Sequence, residues 1–78
     1  MIGKTLKYLR SKKKLNQDQV AKLLDIERTT LSGYEIERRQ PDFETIEKIA
    51  NNCGYKIFFI NEETKDKFQV KDLTRKDI

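Results

Sequence analysis

Among side chains that could do chemistry, the 78 residues include no histidine and a single cysteine, Cys53. Neither a disulfide nor an ordinary zinc finger can be assembled from that set, and the carboxylates are scattered instead of grouped beside a nucleophile. No enzymatic activity, metal site or cofactor is expected. What the chain does offer is fixed positive charge and one polar helical face. Seventeen Lys and Arg stand against thirteen Asp and Glu, a net +4. Residues 1–40 carry ten basic and five acidic side chains, a net +5, and residues 41–78 carry seven and eight, a net −1. A basic front half favours a polyanionic partner through counterion release and steering, and it also serves solubility; charge alone does not decide between them. A wheel drawn over residues 28–36 collects Thr29, Ser32, Gly33 and Ile36 on one side with Arg28 at its edge, while Leu31 and Tyr34 point the other way.

Such a face is useful only if neighbouring elements hold it outward. Ile2, Leu6 and Leu9 share one side of a first helix running to about Lys13, where Lys12, Lys13 and Lys14 suit the negative end of the helix dipole. Asn16 and Gln19 form an N-x-x-Q capping box that opens a second helix, with Leu15 and Val20 at the positions of a hydrophobic staple. Val20, Leu23 and Leu24 are expected to face inward, with Ala21 allowing close helix approach. The helix stops near Leu24, because Asp25 tolerates the left-handed backbone of a tight turn and Ile26 returns to the core. A third helix then runs from about Glu27 or Arg28 to Ile36. Two short helices joined by a tight turn make a helix-turn-helix, which presents its second helix at the surface. After the polar loop Arg38-Arg39-Gln40, Pro41 blocks continuation and Asp42 caps a fourth helix. Its stripe is Phe43, Ile46, Ile49, Ala50 and Cys53, and Gly54 ends it. Cys53 is expected to be a small buried hydrophobe in a reducing compartment.

These residues together resemble the Cro and phage-repressor (XRE) family of helix-turn-helix DNA-binding proteins over residues 2–54. The pattern runs through Gln17 at the start of helix two, Val20-Ala21 within it, Ile26 after the turn, Leu31-Ser32 in the recognition helix, Tyr34-Glu35 near its end, and Pro41. The implied fold is mainly α, a four-helix lambda-repressor-like domain with a C-terminal β-strand or hairpin. Asp25 and Glu37 depart from it, since glycine is usual at both places; Glu37 suggests a different exit path from the recognition helix and a negative charge near DNA. The resemblance implies that Arg28 and Thr29 reach base edges in the major groove, an arginine fork suiting guanine O6 and N7 and a threonine methyl suiting thymine. Gly33 occupies a third base-reading position, either silent or used through close approach. Asn16, Gln17 and Ser32 are implied as DNA-backbone contacts, and Arg10 with Glu35 as a structural ion pair tying helix one to the recognition helix; Arg38 and Arg39, which follow that helix, are expected as further backbone contacts, within reach of phosphates or an adjacent minor groove, the alternative being a solvated loop.

From Tyr55 the period becomes strand-like. "YKIFFIN" places Tyr55, Ile57 and Phe59 on one face and Lys56, Phe58 and Ile60 on the other, and Phe68 to Val70 can return as a second strand. The tail from Lys71 to Ile78 shows no clear pattern. Domain organisation is thus expected as a DNA-binding unit over 1–54 and an extension over 55–78. An apolar strand needs a partner, and pairing of Ile57, Phe58, Phe59 and Ile60 with a second copy would give a two-fold homodimer on a palindromic operator. The expected function is a sequence-specific transcriptional regulator, a repressor, on double-stranded DNA. The alternative is an antitoxin-type module gripping a toxin or other protein through the strand. No apolar run approaches the roughly 20 residues needed to cross a bilayer and no signal-peptide core follows Met1, so a cytoplasmic protein without a membrane partner is expected.

Overall fold

The computed structural model describes residues 1–74, and four helices form its body: α1 (Ile2–Lys12), α2 (Gln17–Leu24), α3 (Arg28–Glu35) and α4 (Phe43–Asn52). Leu6, Val20, Leu31 and Ile49, one from each helix, are fully shielded from water and meet in a single cluster with Ala21 and Cys53. Ile2, Leu9, Leu15, Leu24, Ile26, Tyr34 and Ile46 pack around it. Burial of this kind stabilises by about 1.5–3 kcal/mol per large aliphatic side chain. Burial also pushes the Cys53 thiol above its ordinary value, as suits an unreactive core residue. Leu23, expected inside, is instead 58% exposed: the core-facing positions of α2 are taken by Val20, Ala21 and Leu24.

Helix starts follow their caps. Asn16 accepts from Gln19 N–H and the Gln19 side chain accepts from Asn16 N–H, both at 2.8 Å, so the capping box forms as read. Asp42 accepts from Thr45 N–H at 2.8 Å. Helix ends share one geometry: a residue with positive φ, followed by an N–H that reaches back five residues. The pairs are Leu15 N–H to Arg10 O (3.1 Å), Ile26 to Ala21 (3.0 Å), Arg38 to Gly33 (2.9 Å) and Tyr55 to Ala50 (2.8 Å). The left-handed residues are Lys14, Asp25, Glu37 and Gly54, so three of the four ends use a residue with a side chain.

Glu37 therefore takes the same left-handed turn that glycine would, at φ 64°, and the different exit path expected of it does not occur. Its carboxylate runs to the start of α1, where it pairs with the Met1 amino group and accepts from Gly3 N–H, interactions that hold its pKa below the ordinary value. Helix α1 begins with no side-chain cap of its own, and Glu37 supplies one from across the fold. Gly3 permits this closeness: a Cβ there would lie 2.5 Å from the Glu35 carbonyl oxygen and 2.8 Å from that of Tyr34.

The strand is shorter than its alternation implies. Only Phe59–Ile60 (β1) pairs, antiparallel, with Lys67–Phe68 (β2), in the register Phe59 to Phe68 and Ile60 to Lys67. Among the described residues, Tyr55 to Phe58 find no strand beside them and form no ladder. The connecting turn is built by Asn61, whose side chain accepts from Glu63 and Thr64 N–H, with Lys65 at φ 66°. Phe59 stacks on Phe68 with centroids 5.5 Å apart and meets Phe43 of α4 at 6.0 Å, which is why Phe43 leaves the core stripe and stays partly exposed. Val70, expected at the end of the returning strand, instead opens a short 3-10 turn, Val70–Thr74, that runs on into residues where no pattern was expected; residues 75–78 lie outside the described residues.

Candidate nucleic-acid interface

Helix α3 is fixed from behind and bare in front. Leu31 anchors its inner side with no exposed surface, and Tyr34 and Ile26 pack beside it. Near its C-terminal end Glu35 is locked to α1: Arg10 Nε donates to Oε2 at 2.7 Å and Nη2 to Oε1 at 2.9 Å, while Nη1 holds the Leu15 carbonyl at 2.9 Å. The Glu35 side chain is only 2% exposed. Burial pushes its carboxyl up, but the bonds from Arg10 and Gln17 outweigh that and leave its pKa below the ordinary value. The bond to Glu35 raises the Arg10 pKa in turn.

The front of α3 carries Arg28 and Thr29, both exposed, with half-buried Ser32 one turn on and Ile36, 61% exposed, at its end. These residues, with Arg38 and Arg39 from the following loop, line one open concave surface. Thr30 and Glu27 join it as well, positions that the wheel did not single out because they sit at its rim and at the helix N-cap.

Two residues expected at the DNA backbone have their polar groups engaged inside the chain. Gln17 Nε2 donates to Glu35 Oε1 at 3.0 Å, and its oxygen accepts from Arg28 Nη1 at 3.4 Å. Gln17 thereby links the buried ion pair to Arg28, whose Nε also lies 3.7 Å from Asp18. Asn16 uses its side-chain oxygen for the cap of α2. Gly33, expected to face a base, is buried beneath the side chain of Arg39. Arg38 and Arg39 are exposed at the same rim. The hairpin residues lie elsewhere: Ile57 is half-buried and Phe58, Phe59 and Ile60 are 40, 47 and 59% exposed. Among the described residues there is no cluster of side chains able to hold a metal ion, and no helix is long and apolar enough to cross a membrane.

Comparison with known proteins agrees with this arrangement. Residues 6–60 match the helix-turn-helix family. The chain is 32% identical over 73 residues to YonR, a prophage-derived helix-turn-helix transcriptional regulator of Bacillus subtilis strain 168, covering 94% of this chain and 68% of YonR. It is 32% identical over 78 residues to the regulator ImmR of the same organism, covering 99% of this chain and 61% of ImmR. It is 31% identical over 64 residues to the immunity repressor of Bacillus phage phi105, covering 81% of this chain and 44% of that repressor. No solved structure gives a significant match. With its four helices, its turn at Asp25 and its locked third helix all in place, the chain belongs to the Cro and phage-repressor (XRE-type) family of helix-turn-helix DNA-binding proteins, which are not enzymes.

Proposed function

We propose that this protein is a sequence-specific transcriptional repressor that occupies a palindromic operator as a homodimer. The observation that carries the reading is the contrast between the two sides of α3, with Leu31 sealed in the core and Arg28, Thr29 and Ile36 left open beside exposed Arg38 and Arg39. A helix so presented fits the major groove, where Arg28 and Thr29 read base edges while Ser32, Arg38 and the start of α2 at Asn16 and Gln17 meet phosphates. Gln17 serves a second purpose there, since its bond to Arg28 restrains the arginine before DNA arrives. The dimer contact uses the hairpin extension over 55–78, where Phe58 and Ile60 expose apolar surface beside open strand edges. The relatives are named as regulators and a repressor, so the antitoxin-type alternative gains nothing from them.

Selection of bound fragments from random DNA tests this directly. A two-fold symmetric consensus is expected, and Arg28→Ala should lose about 1–3 kcal/mol and relax one base position in each half-site. Retention of every fragment without enrichment would refute sequence-specific binding, and enrichment of a single, non-repeated half-site would refute the dimer.

A further inference from the structure

Gly33 lies on the outward side of α3 and is nevertheless buried, because Arg39 covers it. A Cβ placed on Gly33 would sit 3.4 Å from Cδ, 3.5 Å from Cγ and 3.8 Å from Cβ of Arg39. The arginine methylenes thus lie over Gly33, leaving room for a methyl but not for a longer side chain pointing the same way. The loop backbone is pinned to the same residue, since the Gly33 carbonyl oxygen accepts from Arg38 N–H at 2.9 Å and from Arg39 N–H at 3.2 Å. Arg39 is therefore held at its backbone and along its stem, while its guanidinium forms no ion pair or hydrogen bond among the described residues. Two other arginines differ: Arg10 is consumed by Glu35 and Leu15, and Arg28 is held by Gln17 and Asp18, whereas Arg38 shares the free guanidinium but not the seat.

We infer that Arg39, seated on Gly33, is a base-reading residue of the recognition surface, its guanidinium donating to O6 and N7 of a guanine at the base step a side chain at position 33 would otherwise read. The inference rests on the reading that α3 enters the major groove. It gives Gly33 the part of a seat in place of direct base contact, and it moves Arg39 from the phosphate contacts to the base readers. A phosphate contact needs charge and reach and gains little from a fixed stem, whereas a bidentate pair to one base edge requires a fork held in a set direction. Arg38, next in the chain but without such a seat, remains the phosphate contact.

The test compares Arg39→Lys, Arg39→Ala and Gly33→Ala with the intact chain, by selection from random DNA and by titration of a selected and a random duplex. Arg39→Lys should keep its affinity for random duplex and lose about 5- to 150-fold in preference at one guanine. Gly33→Ala is expected to fold at least as well, because alanine favours a helix and the atoms it meets belong to a flexible side chain. Its methyl would meet the Arg39 stem at ordinary contact distance, so the preference for that guanine should survive. Equal losses on both duplexes for Arg39→Ala, restored by Arg39→Lys, would make Arg39 a phosphate contact and overturn the inference alone, provided Arg28→Ala still alters the selected motif. A wild-type chain that selects no motif would overturn the groove-binding reading and the inference with it.

Discussion

In the helical body four side chains are wholly shielded from water, whereas from Tyr55 to Leu73 every residue is half-buried or exposed. The body closes on itself through one apolar cluster fed by all four helices, and its central charged pair has both carboxylate oxygens of Glu35 engaged. The hairpin rests on two paired residues per strand, a side-chain-built turn and the rings of Phe43, Phe59 and Phe68. Two-stranded hairpins are marginal in water without further packing. The difference separates a region whose stability is its own from one whose stability depends on what it touches, and the proposed DNA-reading surface lies on the former.

The sharpest way to break that contrast is to strand a charge inside the body. Glu35→Leu leaves Arg10 without its partner and is expected to cost about 3–5 kcal/mol, read from urea denaturation at neutral pH. Replacing both, as Arg10→Met with Glu35→Leu, should recover most of the loss. The sign of the pH dependence follows from the lowered Glu35 pKa. Its stabilisation is fully present above the ordinary glutamate value of 4.5 and is lost as pH falls through the depressed folded value. The gap between wild type and the single variant should therefore narrow in acid. A gap that stays constant would mean that the pair contributes nothing through ionisation.

A smaller effect separates the two regions by concentration. Leu31→Ala removes a fully buried side chain and should cost about 2–5 kcal/mol at any protein concentration. Phe59→Ala removes ring contacts at 5.5 and 6.0 Å and should cost about 1 kcal/mol in the monomer. If the hairpin carries the dimer contact, that cost grows with protein concentration, because a second chain then stabilises the wild type by mass action. Denaturation at two concentrations a hundredfold apart reads this, and parallel curves for wild type and Phe59→Ala would remove the hairpin from the dimer.

The same division governs what could be read from the residues alone. Asn16, Gln19 and Asp42 announced their helices because a cap is decided within three or four positions, and Leu6, Val20, Leu31 and Ile49 fell on the expected faces because helical period fixes direction. The Arg10 and Glu35 pair, 25 positions apart, was accessible only through family resemblance. Leu23 is exposed because Val20, Ala21 and Leu24 already fill the core-facing side of this two-turn helix. Alternation from Tyr55 to Ile60 says that a strand is tolerated, but its length is set by a partner, and β2 offers two residues. The seat of Arg39 on Gly33 and the cap that Glu37 places on α1 had no local signal, since each depends on how the loop after α3 comes to rest.

The smallest expected effects lie at the helix ends and at the joint between the regions. Gly54, at φ 89°, links body to hairpin, and a Cβ there would meet nothing within 4 Å, so Gly54→Ala isolates the cost of left-handed backbone, about 1 kcal/mol. Lys14 and Asp25 already bear that cost at φ 62° and 57°, and glycine at either should stabilise by up to about 1 kcal/mol. Glu37 has the same backbone at φ 64°, yet Glu37→Gly should gain nothing, because the relief of strain is offset by an uncapped α1. Thermal melts of the four variants decide it. If Glu37→Gly stabilises as much as Asp25→Gly, the carboxylate at Gly3 is idle and the body is joined there by packing alone; if it does not, the glutamate at this helix end is retained for the contact it makes across the fold.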